Sequence, residues 1–367
     1  MKKIWKSSLL LVLLSVFLLI GLVGCSSEPE PAPTPEPTSA IEVTPEPEEI
    51  EEEEPEEEVP TGMDIHGAIH RIEYGDNVVY LFGSLHAERG AWFPLADVVE
   101  EATERADVFA AEIDTFDTEA TAAALEDVLL LPDGQTWADF LPQEAYDHLV
   151  EVIVAYGIPY EEVRYINPHF LVFSVTMDLV QSLAEDLAMG GLEEGISVDG
   201  YVMNIATERG RPVIGLETAE QQMNILYMPP LDVMVDHIMS FLPPEEMLAA
   251  IQDSPEPSLD ELADAYEQND LAELADMFAR TMSLEAVAEI EGEAGSLWLT
   301  YMRETVMNWR STYYAIEIAR LLQETEEPTT FFVVVGASHI IRSMGGEEFT
   351  DIVEQLGFLG FDAVPIW

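Results

Sequence analysis

Two β-prone runs near opposite ends of the foldable chain, residues 78–82 and 329–335, each stop at a glycine that opens a Gly-x-x-His motif. The motifs are Gly83 to His86 and Gly336 to His339. A helical pattern follows each one, over 94–105 and 347–356, and then a second short apolar run, over 108–113 and 362–366. Strand, loop, helix and strand in that order make a βαβ unit, for which parallel pairing and a right-handed crossover are expected. The chain is therefore held to an α/β fold: a central sheet with two strand-GxxH-helix-strand units. A turn at Gly75, Asp76 and Asn77 brings the chain into the first unit as a hairpin-like approach.

The span between the units reads as a large helical insertion. Apolar periodicity predicts helices over 118–129, 143–155, 169–188, 230–239, 258–269 and 270–289, with one short strand over 211–216 ending at Glu217. The acidic stretch 243–293 is expected to form a helical lid.

Charge then removes whole classes of function. With 72 acids against 14 bases the chain carries a formal charge of -58, which repels nucleic acid phosphates and anionic lipid surfaces. No nucleic acid partner is expected. A single cysteine, Cys25, excludes an internal disulfide framework and a Cys-rich metal site. Its surroundings point to lipidation instead. Lys2, Lys3 and Lys6 precede an apolar stretch over 9–24 that ends in Leu22-Val23-Gly24 just before Cys25. Residues 1–24 are expected to be a lipoprotein signal peptide, leaving Cys25 as the lipid-bearing N-terminus on the extracytoplasmic face of the cell membrane. An uncleaved anchor is the alternative, though the apolar stretch is short for a span. From Ser26 to Pro60 there are 14 Glu, 9 Pro and no base, so this segment reads as an extended tether. The division expected is signal 1–24, tether 25–60 and folded domain 61–367.

Within the domain, the residues able to do chemistry gather at strand ends. His86 and His339 follow their strands in loops at the edge where α/β sheets place their sites, fit to bind a metal or act as bases. Glu112, in VFAAEID with Asp114, ends the strand after the first motif and could complete a metal site or orient a base. Glu217 could serve as ligand or general acid/base, or cap the helix expected over 219–226. Asp199 and Tyr201 are weaker prospects, able to cap and to pack respectively. His66 and His70 have i,i+4 spacing but lack the glutamate of a zincin helix, and His148, His169 and His237 fall in helical stretches where packing or surface roles are expected. The chain has no GxSxG elbow, GxxxxGK phosphate loop or Rossmann fingerprint.

Three segments together resemble the TraB/GumN family, also grouped with TraB/PrgY proteins and the Tiki metalloproteases. They are YLFGSLHAERGAWFPLADVVEEATERADVFAAEID, GYVMNIATERGRPVIGLETAEQQ and FFVVVGASHIIRSMGGEEFTDIVEQLGFLGFDAVPI. The resemblance implies an α/β architecture with paired GxxH sites and, in some relatives, divalent-metal-dependent proteolysis. Gly83, His86, Glu112, Glu217, Gly336 and His339 match its motif positions. Its Arg-Asn pair has its nearest match at Met307-Asn308, with Arg303 and Arg310 nearby. One functional expectation is a peptidase-like metallohydrolase acting on a peptide or protein. In it, His86 and His339 bind Mn, Co or Zn, Glu112 or Glu217 completes the site while the other orients water, and Arg310 stabilises an anionic intermediate or substrate carboxylate. The other is a lipid-anchored peptide-binding or signalling protein on the same scaffold.

Overall fold

The computed structural model describes residues 64–85, 92–132, 134–187, 197–253, 257–281, 296–341 and 349–367. The signal, the tether and Cys25 lie outside the described residues, as does His86.

Six strands form one sheet in the order β4-β3-β5-β2-β1-β6. They are β1 (His70–Tyr74), β2 (Asn77–Ser84), β3 (Val108–Ala111), β4 (Val213–Gly215), β5 (Thr330–Gly336) and β6 (Val364–Pro365). Every pairing is parallel except the two made by β1, which runs antiparallel to both β2 and β6. Strands β2 and β5 read as near-continuous apolar runs because consecutive residues in both are buried, so both faces of the sheet centre are covered.

The strand pairing differs from the local expectation in one respect. β3, which follows β2 after helix α1 (Asp97–Arg105), does not pair with β2. The late strand β5 sits between them, bonded to β2 along Val78↔Thr330 to Ser84↔Gly336 and to β3 along Val108↔Phe331 to Ala110↔Val333. VVYLF and FFVVV are the two longest β-branched and aromatic runs available. Pairing them buries the most apolar surface per backbone hydrogen bond, and a βαβ connection can skip one strand without changing its hand. The ladder reaches both GxxH motifs one residue out of step, with Gly83 opposite Val335 and Ser84 opposite Gly336.

Gly83 is required by close packing. Its N–H donates to Gly67 O at 2.7 Å, and a Cβ there would stand 2.8 Å from that same oxygen.

Helix α2 (Thr118–Leu129) and helix α3 (Gln143–Ala155) have the expected bounds, and α4 (Pro168–Leu187), α5 (Val198–Glu208), α6 (Ala219–Tyr227) and α7 (Leu231–Ser240) follow. Helices α8 (Pro244–Asp253), α9 (Leu259–Glu267) and α10 (Leu271–Thr281) occupy the stretch expected to be a lid, whose residues 254–256 and 282–293 lie outside the described set. Helices α9 and α10 pack into the main core. Tyr266 is buried and donates to Gly83 O at 2.8 Å, and Leu274 and Ala275 join the core cluster of β2 and β5. Among the described residues, no helix is long and apolar enough to cross a membrane.

A separate apolar cluster joins α3, α4 and α7 through Leu149, Val152, Leu171, Val172, Met234 and Ile238. Beside it His237 Nδ1 and His169 Nδ1 lie 3.0 Å apart, both side chains buried. His169 Nε2 faces Leu226 O at 3.2 Å and must carry its proton there, so His169 Nδ1 accepts from the Nδ1–H of His237. Trp298 stacks on His237 at 4.4 Å, and Asp236 accepts from the N–H groups of Leu297 and Trp298. These contacts tie α11 (Ser296–Tyr301) to α7.

Burial holds both histidines neutral. It pulls His169 down to about 4, against a smaller opposing effect of the Leu226 carbonyl, and pulls His237 well below 6.5, reinforced by His169. An unfolded histidine near 6.5 takes up a proton that the folded pair refuses, so this contribution to stability is present above pH 6.5 and lost as pH falls towards 4. We predict a loss of about 3 kcal/mol from His169 alone over that window. Urea unfolding at a series of pH values should show a shallower acid loss in the His169→Gln/His237→Gln variant than in the wild type.

Candidate functional site

The carboxyl ends of four parallel strands meet at one edge of the sheet, the edge at which open α/β sheets bind ligands. Glu112 is the first residue past β3 and Glu217 follows β4 by two, and the N–H of Glu217 donates to Glu112 O at 2.9 Å. The ladder thus continues one step beyond the strands and sets the two side chains side by side. Gly215 permits the sharp exit that follows, since a Cβ there would meet Glu217 O at 2.6 Å and Asp114 N at 2.8 Å.

Between the two acids lies Arg310, buried at the start of helix α12 (Arg310–Glu324). Its Nε donates to Glu217 Oε1 at 3.0 Å, and its Nη2 donates to Glu217 Oε1 at 2.5 Å, to Glu112 Oε2 at 2.7 Å and to the Tyr314 hydroxyl. Tyr314 in turn donates to Glu217 Oε1 at 2.7 Å. Gln222, in the first turns of α6, lies 3.2 Å from Glu217 Oε1 and 3.3 Å from Glu112 Oε2. Two N–H groups of Arg310 converge on a single oxygen of Glu217 while Nη2 also reaches Glu112, a spread of donors that the planar guanidinium offers and an ammonium does not.

Burial by itself pulls the Arg310 pKa down, and the neighbouring Glu112, Tyr314 and Glu217 more than reverse this, leaving it raised. Burial and the adjacent Glu112 push the Tyr314 hydroxyl well above its ordinary range, so it remains a donor. The Glu217 side chain has no solvent exposure, and its Oε2 is buried without a hydrogen-bond partner among the described residues. Glu112 keeps 18%. Of the two acids expected to do proton chemistry, Glu112 alone reaches solvent.

His339 lies in the one-turn helix Ser338–Ile341 directly after β5. Its Nε2 is 3.9 Å from Glu112 Oε1, and its Nδ1 is 2.9 Å from Ser311 Oγ. The ring meets Tyr314 edge-on at 5.3 Å, and Gly336 N donates to Glu112 Oε1 at 3.1 Å. The structure therefore brings together Glu112, Glu217, Arg310 and His339 from four separated stretches of sequence.

Asp199 is close by. Ser84 Oγ lies 2.6 Å from Asp199 Oδ1, so this acid sits at the end of β2, while Tyr201 packs, stacking on Phe93 and donating to Glu100. At the nearest match to the Arg-Asn pair, Met307 is buried and Asn308 accepts from Thr350 N, and Arg310-Ser311, three residues on, supplies the side chains that enter the cluster.

What displaces that pair is local helix geometry. Residues Met302–Trp309 are π-helical, between α11 and α12. Both flanks are anchored, α11 by Trp298 and by Tyr301 donating to Ile225 O at 2.7 Å, and α12 by Tyr314, Ile318 and Leu322 in the core. The widened turns take up the phase difference between these two fixed faces, a recurrent feature of functional helices. Sequence periodicity assumes 3.6 residues per turn and misses it. It misses Gln222, Ser311 and Tyr314 too, although Arg310/Tyr314 is an i,i+4 pair.

Imidazole nitrogen and carboxylate oxygen are suitable donors for Mn, Co or Zn. The 3.9 Å between His339 Nε2 and Glu112 Oε1 is slightly wider than the ~3.3 Å between two ligands of one tetrahedral ion. Among the described residues, no group of three His, Cys, Asp or Glu is arranged to hold a metal. They fit as a pair that requires a further donor.

The family model described as TraB/PrgY/gumN matches residues 68–346. No curated protein and no solved structure matches the chain significantly.

The network predicts a specific stability pattern. Arg310→Met leaves the fully buried Glu217 side chain without its cation and is expected to cost about 3–5 kcal/mol. Adding Glu217→Gln removes the stranded charge and should recover a large part of that loss, as read by urea denaturation of both variants.

Proposed function

Because the chain belongs to the TraB/PrgY/GumN family, we propose that the Arg310 cluster is the working centre of a divalent-metal-dependent hydrolase acting on peptide bonds. The observation that carries this reading is the state of Arg310. Its Nε and Nη2 are committed to Glu217, Glu112 and Tyr314. A guanidinium whose plane is locked in this way is preorganised to stabilise the oxygen of a substrate carbonyl as it gains negative charge.

His339 and Glu112 would hold a Mn, Co or Zn ion, with His86, outside the described residues, as the further donor. Such an ion supplies Lewis acidity towards water and a carbonyl. The protein's own groups do the rest. Glu112, the acid with solvent access, would orient the attacking water, whose proton passes to the leaving amine. Ser311 at His339 Nδ1 orients the imidazole. Glu217, Tyr314 and Gln222 keep the guanidinium plane fixed and take no proton themselves. In this reading the paired GxxH units are the device that brings a histidine from each of two neighbouring strands to one edge. The domain works at the extracytoplasmic membrane surface, attached through a lipid on Cys25 and spaced from it by the acidic tether.

The long acidic tether and the large helical middle favour the alternative, a peptide-binding or signalling protein on the same scaffold.

Elemental mass spectrometry and a peptide-library digest separate the two. The hydrolase reading expects near-stoichiometric Mn, Co or Zn in the wild type, loss of metal in His86→Ala/His339→Ala, and cleavage at least ~100-fold slower in Glu112→Gln with the fold retained. Absence of metal after reconstitution, together with absence of cleavage, would reject it.

A further inference from the structure

Beside the buried cluster, α12 carries a second row of side chains that the chemistry above does not use. Consecutive helical residues are 100° apart, so the angular order around the start of α12 is Trp309, Tyr313, Arg310, Tyr314, Ser311. Exposure falls in the same order: Trp309 is 48% exposed, Tyr313 is half-buried, and Arg310, Tyr314 and Ser311 are buried. Trp309 and Tyr313 stack with ring centroids 5.4 Å apart and planes 5° apart. The Tyr313 ring is 6.5 Å from that of Tyr314, which is 5.3 Å from His339. A continuous set of rings therefore runs from solvent to the edge of the sheet. Trp309 is the last residue of the π-helical segment, so the geometry that turns Arg310 inward also leaves this indole outside.

We propose that Trp309 and Tyr313 form a subsite for a guanidinium- or ammonium-bearing side chain of a peptide, next to the carboxylate cluster. The proposal rests on the reading that the Arg310 cluster is the working centre. The faces of stacked aromatic rings are electron-rich and attract cations, Trp most strongly, and a planar guanidinium can also stack on them. A chain with 72 acids and 14 bases attracts cationic peptides and repels anionic ones over the same approach. A long aliphatic stem lies along the rings while its charged head reaches towards the acids.

The test is calorimetric titration of the full chain with three hexapeptide amides, alanine throughout except for arginine, norleucine or glutamate at the third position. The arginine peptide should bind ~3–10-fold more tightly than the norleucine peptide, and the glutamate peptide most weakly. The arginine preference should persist at 0.5 M salt, where long-range attraction is screened. Trp309→Leu should bring arginine and norleucine to within about twofold, and Trp309→Phe should keep part of the preference, with circular dichroism confirming that both remain folded. An arginine preference unchanged in Trp309→Leu, no preference over norleucine, or no binding of any peptide would overturn the subsite. Trp309-dependent binding without hydrolysis would leave the subsite standing and remove the hydrolase, whereas hydrolysis indifferent to Trp309→Leu would do the reverse.

Discussion

One buried cation organises this protein's edge. Arg310 enters between two strand-end glutamates, and the carboxylates, the Tyr314 hydroxyl and the Gln222 amide take their positions around it. A cluster of this kind is specific because it is intolerant: burying a guanidinium or a carboxylate is expensive unless each finds its partner. Helix α12, the exits of β3 and β4, and the first turns of α6 are fixed relative to one another by that requirement.

The helical middle serves this arrangement from a distance. His169 and His237 form a neutral buried pair against which Trp298 of α11 packs, and the π-helical segment carries the chain from that anchor to the one provided by the core. From Trp298 to Arg310 the path is covalent and helical throughout. It gives a physical reason for a large insertion between the two ends of the sheet: it supplies the helix that carries the arginine, oriented by packing independent of the sheet.

Much of this is legible in the primary structure. The β-branched runs, the helix bounds of α2 and α3, and the acids at strand ends follow from periodicity and turn chemistry, which act over a few residues. Glu112, Glu217, His339 and Arg310 are each marked by position or motif. What is not legible concerns relations. That β5 inserts between β2 and β3, that Glu217 is Arg310's counter-ion and not an open base, and that Tyr266 joins the main core all depend on segments far apart in the chain.

The amino-acid sequence by itself determined an α/β chain with a strongly acidic surface and strand-end chemistry, because composition, alternation and local turn preferences need only near neighbours. Tertiary structure alone decided how Arg310 is held, which glutamate is sealed and which reaches water. Those outcomes depend on the phase of a helix anchored at both ends and on the desolvation of charges brought together from four distant segments, and neither quantity exists until the chain has folded.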